Sequence, residues 1–318
     1  MNTQLETETR LGKVDFQALK SGGFIRQTQK DLFTVRLRCP AGKVTSEQMA
    51  KAAAIADKYG RGEVHVSVRQ SIEIPYVHLQ HFDEVSAELK EVEWSPASCG
   101  PRVRVPTACA GCTYNPNGLT DTQGMCREVD GRYFGVSTGH HKFKMSFSGC
   151  PIDCTRTRGQ DLGFQGIARP ELVSELCDGC GLCATGCDEG ALTLTNGLPV
   201  RDDSKCNYCG DCTKICPVDA MVVANLGWLV RVGGNGGKHA MHAYEVAQFV
   251  SDEQCLPLIE KTLEWYKANA SGRERIGRVI DRVGLAKYVD EVVRQLVSEP
   301  IATPEERRKF GAGGNLGG

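Results

Sequence analysis

Two cysteine quartets in tandem constrain this chain more than any other feature. Cys177-x2-Cys180-x2-Cys183-x3-Cys187 is followed by Cys206-x2-Cys209-x2-Cys212-x3-Cys216-Pro217. Three thiolates at this spacing wrap one corner of a cubane, and the fourth cysteine of such a run ligates the neighbouring cluster. The pattern assigns Cys177, Cys180, Cys183 and Cys216 to one [4Fe–4S] cluster and Cys206, Cys209, Cys212 and Cys187 to another. Asp188 stands where proline is usual after the first quartet, a departure that leaves the thiolates untouched. Zinc is the alternative, but two interlocked quartets are poor zinc spacing. Paired clusters make an electron wire, so a module of this kind supplies electrons and does no chemistry on a substrate.

Sixteen cysteines in 318 residues raise the question of a disulfide framework. Such frameworks suit small secreted chains. Met1 to Arg10 is polar and mixed in charge, with no signal-peptide core. The expectation is therefore a cytoplasmic protein whose thiols hold metal. All the cysteines but Cys39, Cys99 and Cys255 fall between Cys109 and Cys216, and those three read as ordinary buried thiols. A net charge of −1 gives no general attraction to nucleic acid. No apolar run approaches the ~20 residues of a membrane span.

The chain reads as α+β. After an N-terminal tail, 1–15, residues 16–94 alternate strand, helix and strand. Phe33, Val35, Leu37 and Cys39 alternate with polar residues at period two. Thr45 and Gln48 form a capping box ahead of Met49, Ala52, Ala53, Ala56 and Tyr59 at helical spacing. Val64, Val66 and Val68 then alternate in a second strand. Residues 95–169 and 225–300 form two parts of a second domain, interrupted by the cysteine-rich insertion at 170–224. Lys142 to Ser148 reads as a strand with Phe143, Met145 and Phe147 on one face and Lys142, Lys144, Ser146 and Ser148 on the other. Helices are expected from about Ser251, from Gly272 to Val283, and from Leu285 to Val297. A C-terminal tail, 301–318, follows, Gly-rich and expected to be disordered from Lys309 to Gly318.

A second constellation lies outside the quartets: Cys109, Cys112, Cys126, Cys150 and Cys154. Cys150-Pro-Ile-Asp-Cys154 is a C-x3-C turn at a strand end. A third cubane needs two more thiolates, and three candidates precede the turn. The bland reading is a further electron-transfer cluster. Arg69, Arg104, Lys142 and Lys144 suggest more. Isolated basic residues are usually a solvated face, but cations concentrated beside a metal site point to an anionic ligand.

These residues carry a resemblance. Ser-Gly-Cys150-Pro-Ile-Asp-Cys154 after Lys142-Phe-Lys144 resembles the siroheme sulfite and nitrite reductases. So do Val-Arg69-Gln70, Arg104 ahead of Cys109, Arg231-Val-Gly-Gly-Asn-Gly-Gly, and the Arg275-Ile-Gly-Arg-Val-Ile-Asp-Arg-Val-Gly stretch. The likeness runs from about Phe16 to Gly284. With its insertion the chain looks most like the small anaerobic or dissimilatory-type sulfite reductase subunits. The resemblance implies one copy of a siroheme sulfite reductase-like core carrying a bacterial-type two-cluster ferredoxin domain.

It also implies cofactors and roles. A siroheme and a third [4Fe–4S] cluster would share the Cys154 thiolate. The family often spaces its first two cluster cysteines as C-x5-C, and this chain departs from that. Cys109, Cys126, Cys150 and Cys154 carry over, with Cys112 as the alternate for either of the first two. Arg69, Arg104, Lys142 and Lys144 would form an anion cage for sulfite, with lysine the better proton donor and arginine the better fixed oxyanion contact. Arg36, Arg38, Arg156, Arg158 and Arg231 are candidates to neutralise siroheme carboxylates, as are the backbone amides of Gly233, Gly234, Asn235 and Gly236. The implied reaction is six-electron reduction of sulfite to sulfide. Nitrite reduction and a non-catalytic electron-transfer subunit are the alternatives. Larger family members hold two copies of the core, so a homo-oligomer or paralogous partner is expected to complete the site. The chain shows no flavin or nicotinamide fingerprint, so a partner protein must donate the electrons.

Overall fold

A computed structural model of the chain describes residues 15–301, together with the backbone of Glu8–Thr9 and Gly12–Lys13, which pair as a short antiparallel ladder. Most of the expected 1–15 tail and all but Ile301 of the expected 301–318 tail lie outside the described residues. Two compact units emerge, Met1–Val105 with Asp130–Lys142, and Pro106–Val129 with Phe143–Gly318. The first unit thus runs past Trp94 and takes in residues 130–142. Among the described residues no helix is long and apolar enough to cross a membrane.

The first unit is an antiparallel sheet of β1 (Phe24–Arg26), β2 (Leu32–Arg36), β3 (His65–Val66) and β4 (Ile72–His78), in the order β1-β2-β4-β3. Helices α1 (Ser46–Tyr59) and α2 (Phe82–Glu91) pack on it. Phe33, Val35, Ile72, Ile74 and Val77 meet Ala52, Ile55, Ala56, Val85 and Leu89 in one core. The period-two pattern of β2 is thus expressed as one buried face. Thr45 caps α1 reciprocally: Gln48 N–H donates to Thr45 Oγ1, and Thr45 N–H to Gln48 Oε1, both at 3.1 Å. Two expectations fail here. Met49 is exposed rather than part of the buried stripe, and Val64, Val66 and Val68 are exposed too. Period two says which residues share a face but not which face meets the core, and β3 is a two-residue edge strand with a neighbour on one side only.

The second unit is built on five strands. They are β5 (Thr107–Ala108), β6 (Met145–Ser148), β7 (Leu162–Leu172), β10 (Met221–Val232) and β11 (Tyr244–Val250), in the order β11-β10-β7-β6-β5. A hairpin of β8 (Leu192–Thr195) and β9 (Leu198–Arg201) stands apart from that sheet. β5, β6 and β7 run parallel, and β7 to β10 to β11 antiparallel. Parallel interior strands are covered on both faces. Accordingly Ser146 and Ser148 are as buried as Met145 and Phe147, which corrects the expected polar face. Lys142 and Lys144 precede the strand rather than sharing its face. In the core Phe147 and Phe164 stack with centroids 4.9 Å apart, and Trp228 meets both edge-on. Three expected buried thiols, Cys39, Cys99 and Cys255, are buried.

Helix α3 (Thr122–Tyr133) gives its first half to this unit and its second half to the other. Short helices α4 (Leu182–Thr185) and α5 (Asp211–Lys214) carry the quartets. Helix α6 (Asp252–Asn269) buries Cys255, Ile259, Leu263 and Tyr266, the stripe its sequence predicts, and α7 covers Ile276–Val283. The expected helix from Leu285 to Val297 is α-helical only over Leu285–Tyr288 and continues as a π-turn, Val289–Val293.

Candidate metal centres and anion contacts

Strands β7 and β10 pair from Leu162↔Val232 to Leu172↔Met221, and the chain between them holds both quartets. The two quartets are built on one local plan. Gly181 (φ 73°) precedes α4 and Gly210 (φ 76°) precedes α5, each in the left-handed region that favours glycine. Cys180 N–H donates to Asp178 Oδ1 (3.1 Å), and Cys209 N–H to Asn207 Oδ1 (3.0 Å). The fourth cysteines match as well. Ala191 N–H donates to Cys187 Sγ (3.3 Å) and Ala220 N–H to Cys216 Sγ (3.2 Å).

The sulfurs interact across the repeat. Cys183 lies within electrostatic reach of Cys216 and Cys177. Cys212 lies within reach of Cys209, Cys206, Cys183 and Cys187. Burial pushes the Cys209 thiol up to about 11 and the Cys212 thiol up to about 12. Backbone hydrogen bonds, led by that of Met221, hold Cys216 below the ordinary thiol range. Thiols raised this far stay protonated near neutral pH unless a metal takes the place of the proton. Among the described residues, no group of three or more His, Cys, Asp or Glu side chains is arranged to hold a single metal ion.

A cavity of about 460 Å³ connects the second quartet to the C-x3-C turn. Cys187, Cys206, Cys209 and Cys212 line it together with Cys150, Pro151 and Ile152. The contact is held from below by β7, where Ala168 N–H donates to Tyr208 O (2.8 Å).

At the C-x3-C turn, Cys109 Sγ accepts from Gly149 N–H (3.1 Å) and Gly111 N–H (3.4 Å). Cys150 is buried, and burial raises its thiol, with Cys109 and Cys154 within electrostatic reach. Cys154 is exposed. Glycine is required where these loops meet. A Cβ at Gly149 would lie 2.8 Å from Gly111 Cα, and one at Gly166 would lie 2.5 Å from Gly149 O. A cradle closed against side chains, with backbone N–H groups aimed at sulfur, suits a thiolate-bound cluster. Cys126, by contrast, sits in α3 at 0% exposure, its Sγ donating to Pro106 O (3.5 Å).

The expected anion contacts divide between the two units. In the first unit, Arg69 Nη2 donates to Val105 O (2.9 Å), while Arg104 donates to Ser98 O (3.3 Å) and Gly100 O (3.1 Å). One stretch of chain therefore anchors both guanidinium groups. Lys142 belongs to this unit too, its N–H donating to His141 Nδ1 (2.9 Å). Lys144 lies in the second unit, where its N–H donates to Asp161 Oδ2 (2.8 Å) and its carbonyl accepts from Leu162 N–H (3.2 Å).

Several candidates for carboxylate binding are committed elsewhere. Arg231 is fully buried, and its guanidinium is spent on Glu245, Thr157 and Gln165. Its donors are thus already engaged within the core. Arg36 pairs with Glu73 (2.7 Å), and Arg38 pairs with Asp130 while stacking on Phe134. The N–H groups of Gly233 and Asn235 already donate to Asp161 O and Met241 O. Gly234 is a packing glycine whose Cβ would strike the Gln160 backbone, and Gly236 is exposed. Arg156 and Arg158 are exposed around the short turn Thr157–Gly159.

Sequence reasoning missed Asp161. It is completely buried, and Arg275 clamps it through Nε (2.8 Å) and Nη2 (2.5 Å). Arg275 Nη1 reaches on to Asn235 Oδ1 (3.0 Å). The pair thus joins the Lys144 backbone to the Gly-rich loop. Arg275 was visible in its motif, but no local signal links it to a residue 114 positions away.

Comparison with known proteins follows the same outline. Residues 99–300 match the nitrite and sulphite reductase 4Fe-4S domain, and residues 25–92 match the nitrite/sulfite reductase ferredoxin-like half domain. The coenzyme F420-dependent sulfite reductase of Methanocaldococcus jannaschii is 30% identical over 91% of this chain. This chain spans 46% of that relative's length. An anaerobic sulfite reductase subunit of Salmonella typhimurium is 27% identical, over 86% of this chain and 87% of the relative. Among solved structures, dissimilatory sulfite reductase I shares the fold at a TM-score of 0.68, with 22% identity, over 86% of this chain and 72% of that one.

Proposed function

Since the chain belongs to the nitrite and sulphite reductase family, we propose that it catalyses six-electron reduction of sulfite to sulfide, fed through two ferredoxin-type clusters. The observation that carries this reading is the cavity in which Cys187, Cys206, Cys209 and Cys212 face the Cys150–Ile152 turn. It supports electron passage from the inserted module into a cluster at that turn. The reach of Cys183 to Cys216 and Cys177, and of Cys212 to Cys209, Cys206 and Cys187, supports the interlocked sets read from the spacing, with Cys177, Cys180, Cys183 and Cys216 for the outer cluster and Cys206, Cys209, Cys212 and Cys187 for the inner one. A siroheme coupled to the third cluster would supply the redox iron for the reduction. Arg156 and Arg158 are the exposed cations that suit its carboxylates.

The chain's own residues would do the rest. Arg69 and Arg104, fixed on backbone carbonyls of one stretch, hold oxyanion oxygens in set directions. Lys142 and Lys144 add charge, and an ammonium can hand a proton to a departing oxygen. The half-domain match at residues 25–92 favours a second subunit completing the site, and an electron-donor protein would serve the outer cluster.

The test is sulfide release from sulfite, with ammonia release from nitrite measured alongside, on anaerobically purified protein. Lys144→Met should keep clusters and siroheme but lose turnover by two orders of magnitude or more, about 3 kcal/mol of barrier. Arg69→Ala should chiefly weaken sulfite binding. Undiminished sulfide production by loaded Lys144→Met would refute the cage. Ammonia without any sulfide from the unaltered protein would turn the reading to nitrite.

A further inference from the structure

We propose that Cys112, and not Cys126, is the fourth ligand of the cluster at the C-x3-C turn, beside Cys109, Cys150 and Cys154. The inference rests on the reading that a cluster occupies that turn. It concerns where the chain departs from the usual C-x5-C spacing.

Gln123 Nε2 and Thr122 Oγ1 both donate to Cys109 O, at 2.7 and 2.8 Å, so the N-terminus of α3 abuts Cys109. From there α3 runs back along β5, because Cys126 Sγ reaches Pro106 O. Pro106 and Cys109 are three extended residues apart, about 10 Å at strand rise. Cys126 is therefore displaced one full turn of helix away from the turn region and sealed from solvent by the strand it packs on.

Cys112 lies in the loop that meets the C-x3-C turn. Residues 109–120 fold over Gly149, the residue before Cys150. Leu119 N–H donates to Gly149 O (2.8 Å), and Cys112 N–H donates to Thr120 O (3.1 Å). Gly111 and Gly149 touch backbone to backbone, as the 2.8 Å approach of a Gly149 Cβ to Gly111 Cα shows. Cys112 and Cys150 each sit one residue beyond that contact, and Cys109 Sγ is hydrogen-bonded to both glycine amides. Cys112 is exposed, so its thiol is accessible to a cluster without any movement of α3. A C-x2-C turn thus brings in a second thiolate within this loop, where C-x5-C spacing counted from Cys109 would fall on Asn115.

The experiment uses the full chain, purified anaerobically as Cys112→Ala and Cys126→Ala, with iron and acid-labile sulfide counted per chain. Cys112→Ala should lose about four of about twelve cluster irons, with the electron paramagnetic resonance signals of the two inserted clusters unchanged. Cys126→Ala should keep all of them. A fold-independent arm footprints the unaltered protein with iodoacetamide: Cys112 should be protected until iron is removed. Loss of the four irons in Cys126→Ala, their retention in Cys112→Ala, or alkylation of Cys112 in the loaded protein would each overturn the assignment. An unaltered protein with only about eight irons would instead remove the third cluster, and with it the reading beneath the proposal.

Discussion

Replacing Arg275 with Met breaks a charge pair whose carboxylate partner, Asp161, has no solvent contact at all. The guanidinium makes a two-pronged contact at 2.8 and 2.5 Å and also holds Asn235. Removing one member of a buried pair costs about 3–5 kcal/mol, because the other charge is left uncompensated. At about 2–4 °C per kcal/mol for a unit of this size, the transition should fall by about 6–20 °C. Thermal and urea unfolding of the loaded protein, followed by circular dichroism, would measure it. The pH dependence has a definite sign. Burial already raises the Asp161 carboxyl above its ordinary range, and Arg275 opposes that rise. Without Arg275 the folded state binds its proton still more tightly than the unfolded chain. Stability of Arg275→Met should then increase as pH falls through the folded carboxyl's range towards the unfolded one, and decrease as pH rises. Adding Asp161→Leu should recover part of the loss, since no buried charge then remains. A change under about 0.5 kcal/mol in Arg275→Met, flat with pH, would refute the reasoning.

Cys209→Ser should damage the inner cluster of the inserted module and slow turnover with a protein donor, while reduced methyl viologen still drives sulfite reduction; equal loss with both donors would argue against the wire. Gly166→Ala forces a Cβ to 2.5 Å from Gly149 O, so it should cost about 1–3 kcal/mol and strip iron from the C-x3-C site ahead of the inserted clusters, as iron counts would report. Thr45→Ala removes one half of the α1 cap and should lower stability by about 1 kcal/mol in urea unfolding, leaving iron content unchanged.

Short-range patterns made much of this protein legible from sequence. The quartets are loops of a few residues, so their spacing already encodes the twin Gly-capped turns, Gly181–Cys183 and Gly210–Cys212. The same holds for the buried face of β2 and for both capping boxes, at Thr45 and at Ser251. Other features depended on which layer covers which. The valines beside His65 alternate as a strand should, yet they face outward, and Ser146 is buried because parallel neighbours enclose its strand. Arg231 stands alone in the sequence, and only the fold brings Thr157, Gln165 and Glu245, from three separate segments, onto it. In sequence Cys126 carries over with Cys112 as its alternate, and it is the path of α3 along β5 that bears on the choice. Sequence determines what a few neighbouring residues can bind, because bond lengths and turn geometry act over that range. Asp161 with Arg275, and the inner quartet with the C-x3-C turn, meet only when the sheet folds, so their chemistry belongs to the tertiary structure.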